Sequence, residues 1–400
     1  MSQPADVANV AVRDGFPRLP ARAETVGSLL RPPVLRQAMA EVYDRGHTGL
    51  LVEEREKDLS RLHHVEDEAI AEAVKRQIGA GLDVVTDGEF RRYMFTNSFY
   101  DAVEGMEPSS AMISFVDERG DRIQYAGPPM PRTRLRKVGN PTVREIGYLR
   151  SLTDFPFKVT FPAASWFTFP FWWRPGVTDQ AYESPEEMLE HILAIERELV
   201  AEAIAAGATY LQFDFPIYPF LLDEGWRNRL RRAEVDLDAL LDRAMAADRA
   251  ILDEIPAGVT RALHFCRGNH RSHWLASGSI EPIAERLFSE LPYDRFLIEW
   301  EDPSRDGGYE PLRHVSAGPT VVMGIVSTKK PELESADVLL RQLDEASRYL
   351  DLDQLAISPQ CGFASTLEGN SIDEETQWRK LELVGQVADS VWGRPQIGPK

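Results

Sequence analysis

The stretch Val259–Asn269, VTRALHFCRGN, shows the pattern on which the fold of this chain depends. Its first half is short, apolar and β-branched, as expected of a buried strand, and it ends in the side chains of His264 and Cys266. A helical pattern over Val235–Ile255 precedes it, and another over Glu281–Glu290 follows it. A buried strand between two helices is the unit from which parallel α/β folds are built.

The same unit recurs along the chain. Eight short runs are predicted to be strands: Glu24–Gly27, Asp83–Thr86, Phe157–Phe161, Thr209–Asp214, Val259–Phe265, Arg295–Glu299, Thr320–Ile325 and Gln354–Ser358. Segments with a 3.6-residue apolar period are predicted to be helices: Glu53–Ile78, Pro185–Ala206, Val235–Ile255, Glu281–Glu290, Leu333–Leu350 and Glu374–Val391. Eight strands alternating with helices predict an α/β fold of the (β/α)8 TIM-barrel type.

Two regions fall outside this alternation. Residues 1–20 are predicted to be a flexible lead, and residues 21–400 to form a single barrel domain. The polar, turn-rich residues 101–150 predict an inserted hairpin region. The aromatic and proline-rich segment Phe155–Gly176 begins as a predicted strand. From Trp166 to Trp173 it is predicted to be a loop that lines a pocket or an interface.

Composition narrows the classes of function. The 400 residues carry 45 Lys and Arg against 64 Asp and Glu, a formal net charge of −19, which disfavours nucleic acid and anionic membrane surfaces as partners. No apolar run reaches the roughly 20 residues that span a bilayer, and the first residues have no signal-peptide pattern, so a cytoplasmic protein is expected. Two cysteines exclude a disulfide framework.

The reactive side chains of this sequence stand at predicted strand ends, where barrel enzymes place their active sites. His264 and Cys266 are two residues apart in an extended segment, so both can face one metal ion. Glu299 and Cys361 end or follow two later strands. One imidazole, two thiolates and a carboxylate can form a tetrahedral zinc site. Alternatively, the cysteines are small buried hydrophobes and His264 forms a hydrogen bond in the core.

Six motifs, in order along the chain, resemble those of the cobalamin-independent methionine synthase family. They are ETVGSLLRPP (24–33), GLDVVTDGEFRR (81–92), LQFDFP (211–216), HFCRGN (264–269), LIEWED (297–302) and SPQCGF (358–363). The resemblance implies a (β/α)8 barrel and zinc-activated transfer of an alkyl group, most simply methyl, to a substrate thiol. The chain has the length of one catalytic barrel, as in the short single-barrel relatives.

The resemblance also implies roles for individual residues. His264, Cys266, Glu299 and Cys361 match the zinc ligands, with Glu299 expected to be the most weakly held. Ser28, Glu89 and Asp214 match positions that bind the amino-acid part of homocysteine. A substrate thiol bound to zinc as the thiolate is then expected to attack an electrophilic carbon.

Two departures from the synthase pattern leave the reaction open. Phe215 follows Asp214 where the synthases have an acidic residue. The stretch GIVSTKKPELE (324–334) lacks the Asp and His used there for proton transfer. Lys329, or Lys330, is the candidate proton donor, and His270 is a second candidate catalytic residue.

The same stretch is closer to short relatives such as epoxyalkane:coenzyme M transferase, which implies thiol addition to an epoxide as an alternative reaction. That reaction needs cations for a sulfonate, for which several motif residues are candidates: Arg91, Arg92, Arg267, Arg271 and His270. Trp166 is expected to stack on a pterin or to wall an apolar pocket. The expected partners are a small thiol and a folate, corrinoid or other alkyl donor, with homo-oligomers an open alternative.

Two further readings involve no alkyl transfer. The first is a non-catalytic zinc-binding or ligand-binding barrel with a closed site. The second is a redox role for Cys266 and Cys361, which no C-x-x-C motif supports.

Overall fold

Ten strands form the β-structure of the computed structural model, which describes residues 21–43, 59–109 and 111–393. In chain order they are β1 (Val103–Glu107), β2 (Met112–Val116), β3 (Arg122–Ala126), β4 (Met130–Lys137), β5 (Val159–Pro162), β6 (Tyr210–Asp214), β7 (Thr260–Phe265), β8 (Arg295–Glu299), β9 (Thr320–Val326) and β10 (Leu355–Pro359). The predicted flexible lead, residues 1–20, lies outside the described residues.

Six of these strands form one parallel sheet in the order β10-β9-β8-β7-β6-β5. Every residue of the six strands is buried, because both faces of the sheet are covered. Their bounds lie within two residues of the prediction. This α/β architecture confirms the predicted fold class at the level of a parallel sheet with intervening helices.

The first two predicted strands differ from the prediction, because they are single bridges and the described residues form no closed eight-stranded ladder. The parallel bridges Ala23–Ile357, Glu24–Val84 and Val85–Phe157 link β10 to the segment before β5. The ladder does not continue past Val85, because both backbone hydrogen-bonding groups of Thr86 bind the Gln77 side chain. The Thr86 N–H donates to Gln77 Oε1 (3.0 Å), and Gln77 Nε2 donates to the Thr86 carbonyl (2.8 Å).

Helices flank the sheet along the chain. Those of eight residues or more are Pro33–Val42, Ser60–Gly79, Pro141–Leu152, Pro185–Ala205, Glu224–Arg232, Leu237–Leu252, Glu281–Glu290, Ala336–Ala346 and Glu374–Trp392. Ser184 caps the helix that starts at Pro185, because its side chain accepts from the Glu187 N–H. In the part of the chain that is described, no helix is both long and apolar enough to cross a bilayer.

The strands carry two separate apolar clusters. A small one takes one or two residues from seven segments around the sheet: Ala21, Val26, Val84, Tyr210, Ala262, Leu297, Val322 and Ala356. On β8 the neighbours of Leu297, Phe296 and Ile298, belong instead to the large cluster shared with the helices. Since side chains alternate along a strand, the small cluster lies on the face opposite the helices.

A buried ion group lies on the same side as the small cluster. Glu24 Oε2 accepts from Lys158 Nζ (2.7 Å) and from the Tyr210 hydroxyl (2.8 Å), and Arg295 Nη2 donates to Oε1 (2.6 Å). Burial opposes ionisation of this carboxyl, but Lys158 and Arg295 lower the pKa of Glu24 to about 2. The group joins the first bridged segment to the residue before β5 and to β6 and β8.

The insertion is larger than one hairpin. β2 and β3 pair as an antiparallel hairpin, and β1 pairs with β4 in a second two-stranded sheet. Residues 141–152 form a helix, which was not predicted from the turn-rich sequence of this region. Asn140 starts this helix because its side chain accepts from the Thr142 N–H and Pro141 follows it. The segment Trp166–Trp173, predicted to be a loop, contains two short 3-10 turns.

Candidate active site

Three of the predicted metal ligands lie together at the carboxyl ends of parallel strands. One ligand atom each from His264 on β7, Cys266 just after it and Cys361 just after β10 lies within 4.8 Å of the others. All three side chains are buried, and both cysteines are free thiols. β7 and β10 belong to the same parallel sheet, with β8 and β9 between them. The segment of His264 and Cys266 and the segment of Cys361 therefore lie at the same end of the sheet.

The electrostatics of this group fit a metal ion. Neither ring nitrogen of the buried His264 has a hydrogen-bond partner among the described residues. The Cys361 sulfur and burial raise the pKa of the Cys266 thiol well above its ordinary value. Cys266 and His264, in turn, lower that of the Cys361 thiol. Unpartnered buried polar atoms cost stability, and an ion held by two sulfurs and an imidazole removes that cost.

Glu299 ends β8 beside this group but its carboxylate is engaged elsewhere. Oε1 accepts from Arg305 Nη2 (2.7 Å) and Lys329 Nζ (2.9 Å), and Oε2 accepts from the Arg267 backbone N–H (2.7 Å). Burial raises the pKa of Glu299, but Lys329, Arg305 and Arg267 overcome this and hold it at about 2. The fourth predicted ligand is therefore an ionised carboxylate with three donors of its own.

A cavity opens directly above the three residues. All four predicted substrate-binding residues line it: Ser28, Glu89, Asp214 and Trp166. Ser28 stands against the loop after Cys361, since its carbonyl accepts from the Phe363 N–H (2.9 Å). Trp166 is buried with its ring centroid 4.7 Å from that of Phe215, and it forms an aromatic wall.

The two carboxyl groups of the cavity have few partners. Thr160 donates to Glu89 Oε1 (2.9 Å), and Glu89 Oε2 is buried without a hydrogen-bond partner among the described residues. Gln212 donates to Asp214 Oδ1 (2.7 Å). Burial raises the pKa of Glu89, and it raises that of Asp214 to about 7. Both groups are thus suited to receive a cation, which would favour their ionised forms.

The two candidate catalytic residues occupy different places. His270 lines the cavity, with its ring 4.2 Å from the Tyr125 ring, and burial lowers its pKa to about 4, so it is neutral at neutral pH. Lys329 is not among the described lining residues. It is buried between Glu299 and Glu301, the latter at 3.7 Å, and its ion pair with Glu299 links it to the site.

The arginines considered for a sulfonate are placed away from the cavity lining. Arg91 pairs with Glu66 (2.8 Å), and Arg92 pairs with Glu145 (2.6 Å). Arg267 lies 3.1 Å from Asp306. None of these residues, nor Arg271, is among the described residues that line the cavity. The site therefore brings together three predicted metal ligands, the predicted amino-acid-binding residues and His270, but not the predicted arginines.

Several lining residues were missed by sequence reasoning. The hairpin β2–β3 contributes Ile113, Phe115 and Tyr125 to the cavity, although its sequence signalled only an insertion. A bridge to a distant segment attaches the hairpin at the site: the Val116 and Trp274 backbones exchange two hydrogen bonds of 2.8 Å. No pattern in one sequence predicts such a contact between segments this distant.

Arg31 is a second residue that the sequence did not single out. Its buried guanidinium donates to the carbonyls of Glu89 (3.1 Å) and Arg92 (2.6 Å) on one loop, and of Ala364 (3.2 Å) and Thr366 (3.1 Å) on another. The first of these loops carries Glu89, and the second follows Cys361. Arg31 therefore fixes the acidic side of the cavity relative to the thiol side.

Comparison with known proteins identifies the family. Residues 47–377 match the family model described as the cobalamin-independent synthase, catalytic domain. Protein YxjG of Bacillus subtilis is 34% identical over 93% of this chain and 95% of its own length. The 5-methyltetrahydropteroyltriglutamate–homocysteine methyltransferase of Synechococcus is 27% identical over 86% of this chain, which spans only 40% of that protein.

A solved structure shows the same fold. The putative vitamin-B12 independent methionine synthase of Listeria monocytogenes superposes with a TM-score of 0.67, at 24% identity, over 93% of this chain and 98% of that one. With the family match over most of the chain, the resemblance read from the six motifs is confirmed. The chain belongs to the family of the cobalamin-independent synthase catalytic domain.

Proposed function

We propose that this chain transfers a methyl group to a small substrate thiol at a zinc site held by His264, Cys266 and Cys361. The observation that carries the proposal is the buried His, Cys, Cys group at the floor of a cavity. The Synechococcus relative is named as a homocysteine methyltransferase, which supports homocysteine as the thiol here. Zinc bound at this group supplies the acidity that makes a coordinated thiol a nucleophile at neutral pH.

The fold proposed for this function is a (β/α)8 barrel within residues 21–400. The six-stranded sheet and the two bridged segments at Ala23–Glu24 and Val84–Val85 supply eight neighbouring chain segments. In such a barrel the carboxyl ends of the strands form the active site. The positions of His264, Glu299 and Asp214, the last or near-last residues of their strands, support this assignment.

The chain's own residues would bind and orient the thiol. Glu89 or Asp214 offers a carboxylate to the ammonium group of an amino-acid thiol, and Ser28 offers a hydroxyl to its carboxylate. The burial of all three excludes water from the reacting atoms. Glu299 would be the exchangeable ligand, since Arg305 and Lys329 already bind its carboxylate.

Lys329 and His270 are proposed to act around this centre. Lys329 positions Glu299 through their ion pair. His270, neutral and packed at a tilt against Tyr125, can accept a hydrogen bond from a ligand in the cavity or donate one to it. Thiol addition to an epoxide by a sulfonate-bearing thiol has less support, because no arginine or lysine is among the described lining residues.

Metal content tests the proposal directly. Purified protein, incubated with zinc and freed of excess, is expected to hold about one zinc per chain, and His264→Ala is expected to lose it. His314→Ala is the matched control, since His314 is a half-buried surface residue near Glu281. No zinc in the parent protein, or equal zinc in both variants, would contradict the site. Zinc that a thiol substrate cannot perturb would favour a non-catalytic binding barrel.

A further inference from the structure

The inserted hairpin β2–β3 covers the cavity above His264, Cys266 and Cys361. Ile113, Phe115 and Tyr125 face it from β2 and β3, and Val116 is bonded to Trp274 on the loop that follows Cys266. Lys330 pairs with Glu118 of the hairpin turn (2.7 Å), which adds a second attachment. The roof is therefore joined to the two loops that flank the candidate metal site.

The roof leaves little room for an alkyl donor. The free volume of the cavity is about 80 Å³. Pockets that bury drug-sized ligands run to roughly 300–1,000 Å³. A donor held wholly inside this enclosed space beside a thiol has few non-hydrogen atoms.

The cavity wall is rich in aromatic rings. Six aromatic side chains line it: Phe95, Tyr100, Phe115, Tyr125, Trp166 and Phe215. Phe215 is packed edge-on against both Phe95 (5.6 Å) and Trp166 (4.7 Å), so that these rings form a continuous surface. Aromatic faces grouped in this way attract methylated cations through their quadrupoles.

The charges of the cavity favour the same class of ligand. Glu89 and Asp214 both line it, and the described lining residues include no lysine or arginine. One carboxyl can pair with the ammonium group of an amino-acid thiol, which leaves the second for another cation. An anionic donor, by contrast, would meet two carboxyl groups in a site of low dielectric constant.

The leaving group points to the same conclusion. An amine leaving group of a neutral donor must be protonated as it departs, and Lys329, the expected proton donor, is bound to Glu299 and Glu301 away from the lining. A donor that already carries a positive charge releases a neutral leaving group and needs no acid.

We propose that the alkyl donor of this site is a small methylated onium ion, a methylsulfonium or a quaternary ammonium, held against the Trp166–Phe215 wall. The inference rests on the proposed function for its thiol half. In the step, the thiol sulfur forms a bond to the methyl carbon, and the bond from that carbon to the sulfonium sulfur or ammonium nitrogen breaks. The bonding electron pair stays on the leaving atom, which departs as a neutral thioether or tertiary amine, and the thiol proton is released to solvent.

Binding is tested in the absence of any thiol with tetramethylammonium, a quaternary ammonium ion, against tert-butanol, a neutral molecule of similar shape. Calorimetric titration is expected to show at least about 10-fold tighter binding of the cation. Phe215→Leu is expected to reduce this preference about 5-fold. Phe171→Leu is the matched control, because Phe171 packs on Trp166 (5.1 Å) but is not a lining residue. Equal binding of both probes to the parent protein would overturn the proposal.

Transfer is tested with homocysteine and each donor in turn. Trimethylsulfonium is expected to yield methionine with an equal amount of dimethyl sulfide, measured in the headspace, whereas tetramethylammonium as the productive donor would release trimethylamine. Methionine from methyltetrahydrofolate or methylcobalamin, but from neither onium ion, would overturn the donor assignment and leave the proposed function intact. No zinc and no methionine from any donor would overturn both.

Discussion

Lys329 Nζ lies 2.9 Å from Glu299 Oε1, and both side chains are almost completely buried. This pair joins a residue of the GIVSTKKPELE stretch to the fourth candidate metal ligand, and Arg305 donates to the same carboxylate oxygen at 2.7 Å. The pair explains how a lysine can stand where the synthases carry other residues: it holds the carboxylate and does not face the cavity.

Removal of this lysine is the first prediction. Lys329→Met is expected to cost about 1–3 kcal/mol of unfolding free energy, because Glu299 keeps Arg305 as a partner. Turnover should fall while zinc content is retained, since His264, Cys266 and Cys361 are unchanged. Lys330→Met, which breaks only an exposed pair with Glu118, should change stability by less than about 1 kcal/mol.

Denaturant unfolding and elemental analysis of both lysine variants check this. Loss of zinc in Lys329→Met would show that the lysine, and not only the three ligands, supports the ion.

The second prediction concerns Cys361. Cys361→Ser is expected to weaken zinc binding by at least about 100-fold and to abolish nearly all activity, because a hydroxyl replaces a thiolate ligand. Folding should largely survive, since the core of the sheet lies elsewhere. Zinc titration and circular dichroism of the variant measure the two effects. Unchanged turnover would remove Cys361 from the site.

A third prediction uses the close approach of Gly27 to Glu89. A Cβ added at Gly27 would lie 2.6 Å from Glu89 Oε1, so that Gly27→Ala must displace that carboxylate. The KM for the amino-acid thiol is expected to rise about 10-fold, equivalent to ~1.4 kcal/mol, with zinc content unchanged. Gly79→Ala is the control, since nothing lies within 4 Å of its added Cβ.

Steady-state kinetics of the two alanine variants decide this prediction. An equal KM in both would mean that Glu89 does not bind the thiol substrate.

The fourth prediction concerns pH and a buried acid pair remote from the site. Burial and the nearby Asp248 raise the pKa of Glu196 well above its ordinary value of 4.5, and burial raises that of Asp248 to about 6. The folded state therefore holds protons that the unfolded chain releases. The contribution of these two carboxyl groups to stability is fully present below their ordinary pKa values. It is lost as the pH rises through their raised pKa values.

Urea unfolding at pH 5 and pH 8 measures this dependence. The free energy of unfolding is expected to be lower at pH 8, and Glu196→Gln should reduce the difference. Glu198→Gln, a change at an exposed position on the same helix, should leave it unchanged. A parent protein equally stable at both values would contradict the assignment.

Local patterns in the sequence were enough for the sheet and for the floor of the site. The strand that ends in His264, the strand that ends at Glu299 and the strand before Cys361 are each short, apolar and bounded by helices, and these are properties of contiguous residues. Strands that run parallel bring their carboxyl ends to one edge. The strand alternation and the family resemblance together therefore predicted that the His264 and Cys361 motifs meet, and the structure places them within reach of one another.

The tertiary structure alone decided what surrounds that floor. Glu299 faces Lys329 and Arg305, the candidate arginines are paired outside the cavity, and the hairpin closes over the site through Val116 and Trp274. Each of these is a contact between segments far apart in the chain, made by side chains whose partners are chosen by packing and charge. A local pattern carries the period of a strand or helix, but it does not specify which distant group will neutralise a charge or cover a cavity.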